Sequence, residues 1–336
     1  MKKTLYYCLL VTLILASACK KKSHLKGKND SSINVTFSRF DQDFNQLNKT
    51  TDFYDYSAKL NEKYGVFYDI YNQAIIRLGD SESADYQKNA YRFLNDEIYK
   101  MVYDTVQTFY TELDTEEKIL TAAFQNYNKV FPKRQIPAFY SHISGFNEPI
   151  VVADSVLSIG LDNYLGENHI FYKNLGTYTY LLPKKNRTNI AIDAMRGWLI
   201  SEIIRDNVKS TLLDRMIEEG KLLYILSIIM PDELEYSIFG LSEKQYLWLE
   251  ENELKLWTYA IEQKHLYTAH QITVAKYFND GPFFNFFGSG SSPLVGKYLG
   301  WQIIKAYMDN NQNISIEDLL KIDDSQQILS TSGYRP

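Results

Sequence analysis

The first nineteen residues constrain this chain more than any later motif. Lys2 and Lys3 precede an apolar run from Leu5 to Leu15, and Leu15-Ala16-Ser17-Ala18 then leads straight into Cys19. A permanent membrane span needs about 20 apolar residues, and this run of eleven falls well short. It has the length of a signal-peptide core, with small residues where a signal peptidase cuts. The only other cysteine, Cys8, lies inside the segment that cleavage removes. The remaining chain therefore has Cys19 alone, which leaves no internal disulfide, no catalytic thiol and no Cys-ligated metal. Its fold has to rest on buried apolar surface.

This N-terminus resembles a bacterial lipoprotein signal; the alternative is an ordinary secretory signal that contains a cysteine. In the lipoprotein reading, residues 1–18 are the signal peptide, and Cys19 becomes the new N-terminus and carries acyl chains of the palmitate kind. Stable anchoring needs more than one such chain. Residues 19–32 read as a lipidated tether, since Lys20 to Asn29 is polar and basic. It serves either as a plain linker or as a contact with anionic headgroups. Residues 33–336 remain as a single domain, long enough to bury a sizeable core. The formal charge of −5 falls to −7 without Lys2 and Lys3, which argues against nucleic acid as a partner. Tyr (27) and Phe (18) are abundant while Gly (16) and Pro (8) are sparse. That balance predicts a mostly helical body with aromatic packing. The tyrosines serve either as core rings with wet hydroxyls or as a carbohydrate-facing surface.

Along the chain, Ile33 to Phe40 alternates as an edge strand or extended lead-in does, and Asp41 opens a polar helix. Phe53 to Leu78 carries Leu60, Tyr64, Phe67, Tyr68, Tyr71, Ile75 and Leu78 on one helical face, ending at Gly79. A second amphipathic helix is expected over Tyr91 to Leu113. Thr115-Glu116-Glu117 caps a third that runs to about Phe131. Short β-rich runs follow at Phe139–Ile143, Pro149–Val152 and Ser155–Leu161, with a further strand expected at Tyr178–Leu182. Helical patterns return over Ile190–Val208, Thr211–Met230, Ser242–Gln263 and Gly296–Met308. The order predicts an α+β fold, predominantly helical with a small β-sheet.

A small sheet, a helix and a second helix bearing Glu-Gly is also the order of zinc peptidases. In these, His-Glu-x-x-His binds zinc and activates water, and a glutamate on the next helix completes the site. Aligning this chain on Glu202 puts Ser201 and Arg205 where the histidines would stand, with Glu219 as the third ligand. Serine is a poor zinc ligand, and arginine is a permanent cation without a lone pair. His24 lies in the tether, His142 and His169 in or near the sheet, and His265 and His270 are five apart, the wrong spacing for one helical face. They read as surface or satisfied-core histidines, and neither metal nor cofactor is expected. No Gly-x-Ser-x-Gly elbow or phosphate-binding loop is present.

The chain resembles the gliding motility-associated lipoprotein GldB family of Bacteroidetes. The resemblance rests on Phe37-Ser38-Arg39-Phe40-Asp41, Gly160-Leu161-Asp162-Asn163-Tyr164-Leu165-Gly166, Leu212 to Gly220, Gly296 to Ile303 and the terminal Gly333-Tyr334-Arg335-Pro336. It implies a role in gliding motility and the associated type IX secretion apparatus, and a relation to predicted zinc-dependent proteases. The expected architecture is thus a degenerate zincin-like one.

The first functional reading is a non-catalytic binding module of that machinery, a pseudoenzyme held to a membrane by its lipid anchor and meeting envelope protein partners. In it, Arg205 replaces the metal and pairs with Glu202 or Glu219. The alternative for these charges is a solvated helix surface. A second reading is a hydrolase acting on envelope peptide or glycan, with Glu202 and Glu219 as an acid/base pair. A third is a periplasmic ligand-binding lipoprotein, with Phe283, Phe284, Phe286 and Phe287 as a contact loop. The alternative for these rings is a core plug. Lys20 follows Cys19 with no acidic run, and acidic runs there resemble surface-export signals. The anchor is therefore expected to face the periplasm.

Overall fold

The computed structural model describes residue 25, residues 30–203 and residues 211–336. The alternating lead-in forms a strand only at β1 (Phe37–Ser38), which turns into α1 (Phe40–Asn45). The apolar face expected over residues 53–78 is buried, but its helix is not continuous. α2 (Phe53–Tyr64) is capped by Asp52, whose side chain accepts from the Asp55 amide. Gly65, at φ 51°, breaks the axis in a backbone region that glycine favours. α3 (Val66–Ile70) and a π-helical turn at Tyr71–Ile75 carry the face onward. The second amphipathic run also divides, into α4 (Tyr86–Leu94) and α5 (Glu97–Phe109). The Asp96 side chain accepts the amides of Ile98 and Tyr99 and so starts a new helix. α6 (Asp114–Val130) begins one residue before the expected cap, with Asp114, Glu116 and Glu117 in its first turn.

β2 (Ala138–His142), β3 (Ile150–Ala153) and β4 (Val156–Gly160) lie within a residue or two of the runs expected from the sequence. The sheet order is β1-β2-β4-β3. β1 and β4 flank β2 in parallel, with Phe37 opposite Phe139, and β3 returns antiparallel along β4. Every residue of β4 is buried, as expected of a central strand covered on both faces.

The strand expected at Tyr178–Leu182 does not form. After a 3-10 turn at Leu161–Tyr164 and α7 (Ile170–Asn174), residues Thr179–Lys185 make a second 3-10 helix. Pro183 lies within it and has no amide to give a ladder. The apolar alternation there is instead a stack of exposed Tyr178 on half-buried Tyr180, with the rings 5.6 Å apart.

α8 (Ile190–Ile203) and α9 (Leu212–Ile229) follow, then α10 (Glu235–Phe239). The run expected over 242–263 divides at Asn252 into α11 (Glu243–Glu251) and α12 (Glu253–Glu262). α13 (Gln271–Phe278), α14 (Val295–Asn310), α15 (Ile316–Lys321) and α16 (Ser325–Ser332) complete the chain. The observed class is α+β with helices dominant. α9 and α14 pack backbone to backbone: a Cβ on Gly220 would overlap the Gly300 carbonyl, and one on Gly300 the Met216 carbonyl. α8 lies on the sheet, with Gly197 against the Ile150 side chain. The buried side chains form one cluster that includes Trp198, Trp301 and many of the tyrosines.

Candidate functional site

Of the four residues aligned with a peptidase centre, three are described. Ser201 is exposed near the end of α8. Glu202 beside it is half-buried, and its Oε2 lies 3.4 Å from Arg134 Nη1 and 3.5 Å from the Tyr127 hydroxyl. Arg134 also donates to the Glu202 carbonyl at 2.8 Å and lies over the Phe131 ring. It therefore joins the end of α6 to the end of α8. Glu219 on α9 faces Lys297 on α14, with Oε2 to Nζ at 3.3 Å. Burial holds the Lys297 ammonium below its ordinary pKa; Glu219 opposes that shift, while Arg196 and Lys184 add to it. Arg205 lies outside the described residues, as does Cys19. The cations observed beside the two carboxylates are thus Arg134 and Lys297, each brought from a distant part of the chain. This donor set does not fit zinc, because a cation already neutralises each carboxylate and serine is a poor ligand.

The histidines lie in separate settings, and among the described residues no three His, Cys, Asp or Glu side chains converge on a metal position. His169 caps α7, His265 bonds the Tyr277 hydroxyl and His270 bonds Thr273. His142 is fully buried, with Nδ1 2.8 Å from Ser158 Oγ and Nε2 3.1 Å from the Glu148 carbonyl. Burial lowers its pKa from 6.5 to about 4, against the opposing effects of the Glu148 carbonyl and Asp41. Between those values the unfolded chain binds the proton more readily, so stability is expected to fall as pH drops, by about 3 kcal/mol in all. Asp162 and Asp193, both raised by burial, act in the opposite sense. Urea midpoints from pH 7 to 4.5 for wild type and His142→Gln isolate the histidine. The same slope in both proteins would assign the acid loss to other groups.

The phenylalanine run turns inward at its centre. Phe284 is buried, and its ring packs 5.0 Å from Tyr277 and 5.5 Å from Phe287. Phe286 and Phe287 are half-buried against Tyr259, and Phe283 is also only partly exposed. Ser291 closes the segment, its Oγ accepting from the Phe284 amide. The following Ser289–Ser292 stretch borders a groove of about 860 Å3 shared with Tyr180, Lys184, Lys244 and Trp248. That groove joins segments far apart in the sequence and had no sequence signal.

The segments that carried the family resemblance are structural junctions. In the first, Asp41 is buried and accepts from Arg39 Nε (3.0 Å) and Nη2 (2.8 Å), Gln107 Nε2 (2.8 Å) and Ser141 Oγ (2.5 Å). Phe40 packs edge-on to Tyr64, Phe67 and Tyr71, with centroids 4.7–5.0 Å apart. In the second, Asp162 accepts the amides of Ser144 (3.1 Å) and Phe146 (2.6 Å) and pins the turn after β2. The third and fourth are the facing surfaces of α9 and α14. In the last, the Tyr334 hydroxyl donates to Glu253 at 2.7 Å, a carboxylate that Tyr298 also reaches.

A family model described as gliding motility protein GldB, which implies a lipoprotein of the cell envelope, matches residues 20–336. No curated protein and no solved structure matches the chain significantly. Among the described residues no helix is long and apolar enough to cross a membrane. The match takes in the lead-in, the sheet, the α9–α14 pair and the C-terminal turn, and this chain therefore belongs to the GldB family of gliding motility proteins.

Proposed function

We propose that this protein is a membrane-anchored lipoprotein of the gliding and secretion machinery, held by acyl chains on Cys19 and facing the periplasm. Its body is a binding module and a degenerate relative of zinc peptidases. One observation carries the non-catalytic part of this reading: Glu202 and Glu219 each lie against a cation of the protein itself, Arg134 and Lys297. A carboxylate engaged by the protein's own cation is not free to take a metal or to hold an attacking water. The order of small sheet, α8 and α9 supports the peptidase ancestry.

In a gliding strain lacking the protein, Glu202→Gln and Glu219→Gln are expected to restore movement to the wild-type level. Cys19→Ala is expected to leave the protein in the soluble fraction and the cells immobile. Elemental analysis of the untagged protein is expected to show no stoichiometric zinc before or after chelation. Tightly held zinc, or loss of gliding in a folded, normally abundant Glu202→Gln variant, would turn the reading toward a hydrolase.

A further inference from the structure

α5 carries more apolar surface than the core covers. Its buried stripe is Tyr99, Val102 and Val106. Ile98, Met101 and Phe109 form a second stripe about a quarter turn away, and they are 69 %, 57 % and 43 % exposed. Glu97, Lys100, Asp104 and Thr108 occupy the rest of the exposed face.

The chain reaches this helix from its N-terminal side by way of α6. The Ile33 carbonyl accepts from Gln125, and the Val35 and Phe37 amides donate to Thr121 and Glu117, so the lead-in runs down α6. Arg39 then donates to the Tyr110 carbonyl at the C-terminal end of α5 and to Gln107 within it. Between Cys19 and Ile33 lie thirteen residues, among them Lys20, Lys21, Lys22, Lys26 and Lys28. At full extension they span about 45 Å, and the lysines draw them onto an anionic surface.

We propose that the Ile98, Met101 and Phe109 stripe rests on the membrane that acylated Cys19 anchors, at the boundary of headgroups and acyl chains. The body is then held in one orientation instead of swinging on its tether. The inference rests on the anchoring reading above. The occupant is a lipid surface because the tether ends at Ile33 on α6, the chain joins α5 at Arg39 soon after, and the tether is long enough to reach the surface and carries the attracting charge. An amphipathic helix lying in the interface gains from each apolar side chain it buries there.

The test uses the full lipidated chain in vesicles of phosphatidylethanolamine and phosphatidylglycerol. Acylation occupies Cys19, so Met101→Cys supplies the one free thiol for an environment-sensitive dye. Ile261→Cys, an exposed site on α12, is the control. Spin-labelled lipids are expected to quench the dye at 101 about twofold or more beyond that at 261. Ile98→Asp with Phe109→Asp is expected to remove the difference while flotation with the vesicles persists. Equal quenching at both sites, or quenching at 261 alone, overturns the proposal while leaving the anchor intact. A dye at 101 that is shielded without lipid quenching points to a protein partner and overturns it as well. Absence of acyl mass on Cys19 sinks the anchoring reading itself, and this one with it.

Discussion

Gly300→Ala is expected to destabilise the fold by about 3 kcal/mol or more, a large fraction of a typical domain's stability. The added methyl has no room, because the Met216 carbonyl already occupies its position, and backbone cannot turn aside as a side chain can. α9 and α14 would have to separate, and the layer that includes Met216, Trp301 and Ile304 would loosen with them. Gly220→Ala, which meets the Gly300 carbonyl from the other side, should behave alike. The two substitutions together should cost less than their sum, since one separation of the helices relieves both clashes. Urea unfolding monitored by tryptophan fluorescence reads the effect. A midpoint for Gly300→Ala within error of wild type would show that the helices do not approach this closely.

The second large effect is expected at Arg39. Its guanidinium bonds both oxygens of Asp41, whose side chain is fully buried while Arg39 is 17 % exposed. Arg39→Met leaves a carboxylate in the core with only Gln107 and Ser141 as donors. The expected loss is about 3–5 kcal/mol, the range for breaking one side of a buried pair. Adding Asp41→Leu should recover much of it, because removing both charges removes the desolvation penalty as well as the attraction. A double-mutant cycle in urea measures the coupling. A cost below about 1 kcal/mol for Arg39→Met would place the pair with exposed ion pairs.

The helical faces and the positions of β2, β3 and β4 were legible because periodicity reports burial directly: Leu60, Tyr64, Phe67, Tyr71 and Ile75 are all buried as their spacing implies. The breaks within those faces were less legible, since a stripe that continues through Gly65 or Asn252 has the same spacing whether the helix is whole or divided. Asp96 before Glu97 was a usable cap signal for α5. Tyr178–Leu182 misled because its two rings stack on each other, exposed Tyr178 on half-buried Tyr180, instead of meeting a strand. At the candidate site, sequence identified Glu202 and Glu219 but not their partners. Arg134 and Lys297 arrive through tertiary packing of α6 on α8 and of α14 on α9, which no local pattern encodes. The same holds for Asp41 and Asp162, whose segments stood out in the sequence without showing why.

The lead-in also has a mechanical meaning. If the N-terminus is anchored as proposed and the body is pulled away from it, the tension enters at Ile33 and runs toward β1. It is borne there by a two-residue parallel ladder, by the side-chain bonds from α6, and by the Arg39–Asp41 pair with its bond to Tyr110. These bonds follow one another within a few residues of the chain. Should they give way, the load passes straight to α1, whose Phe40 is rooted in the core.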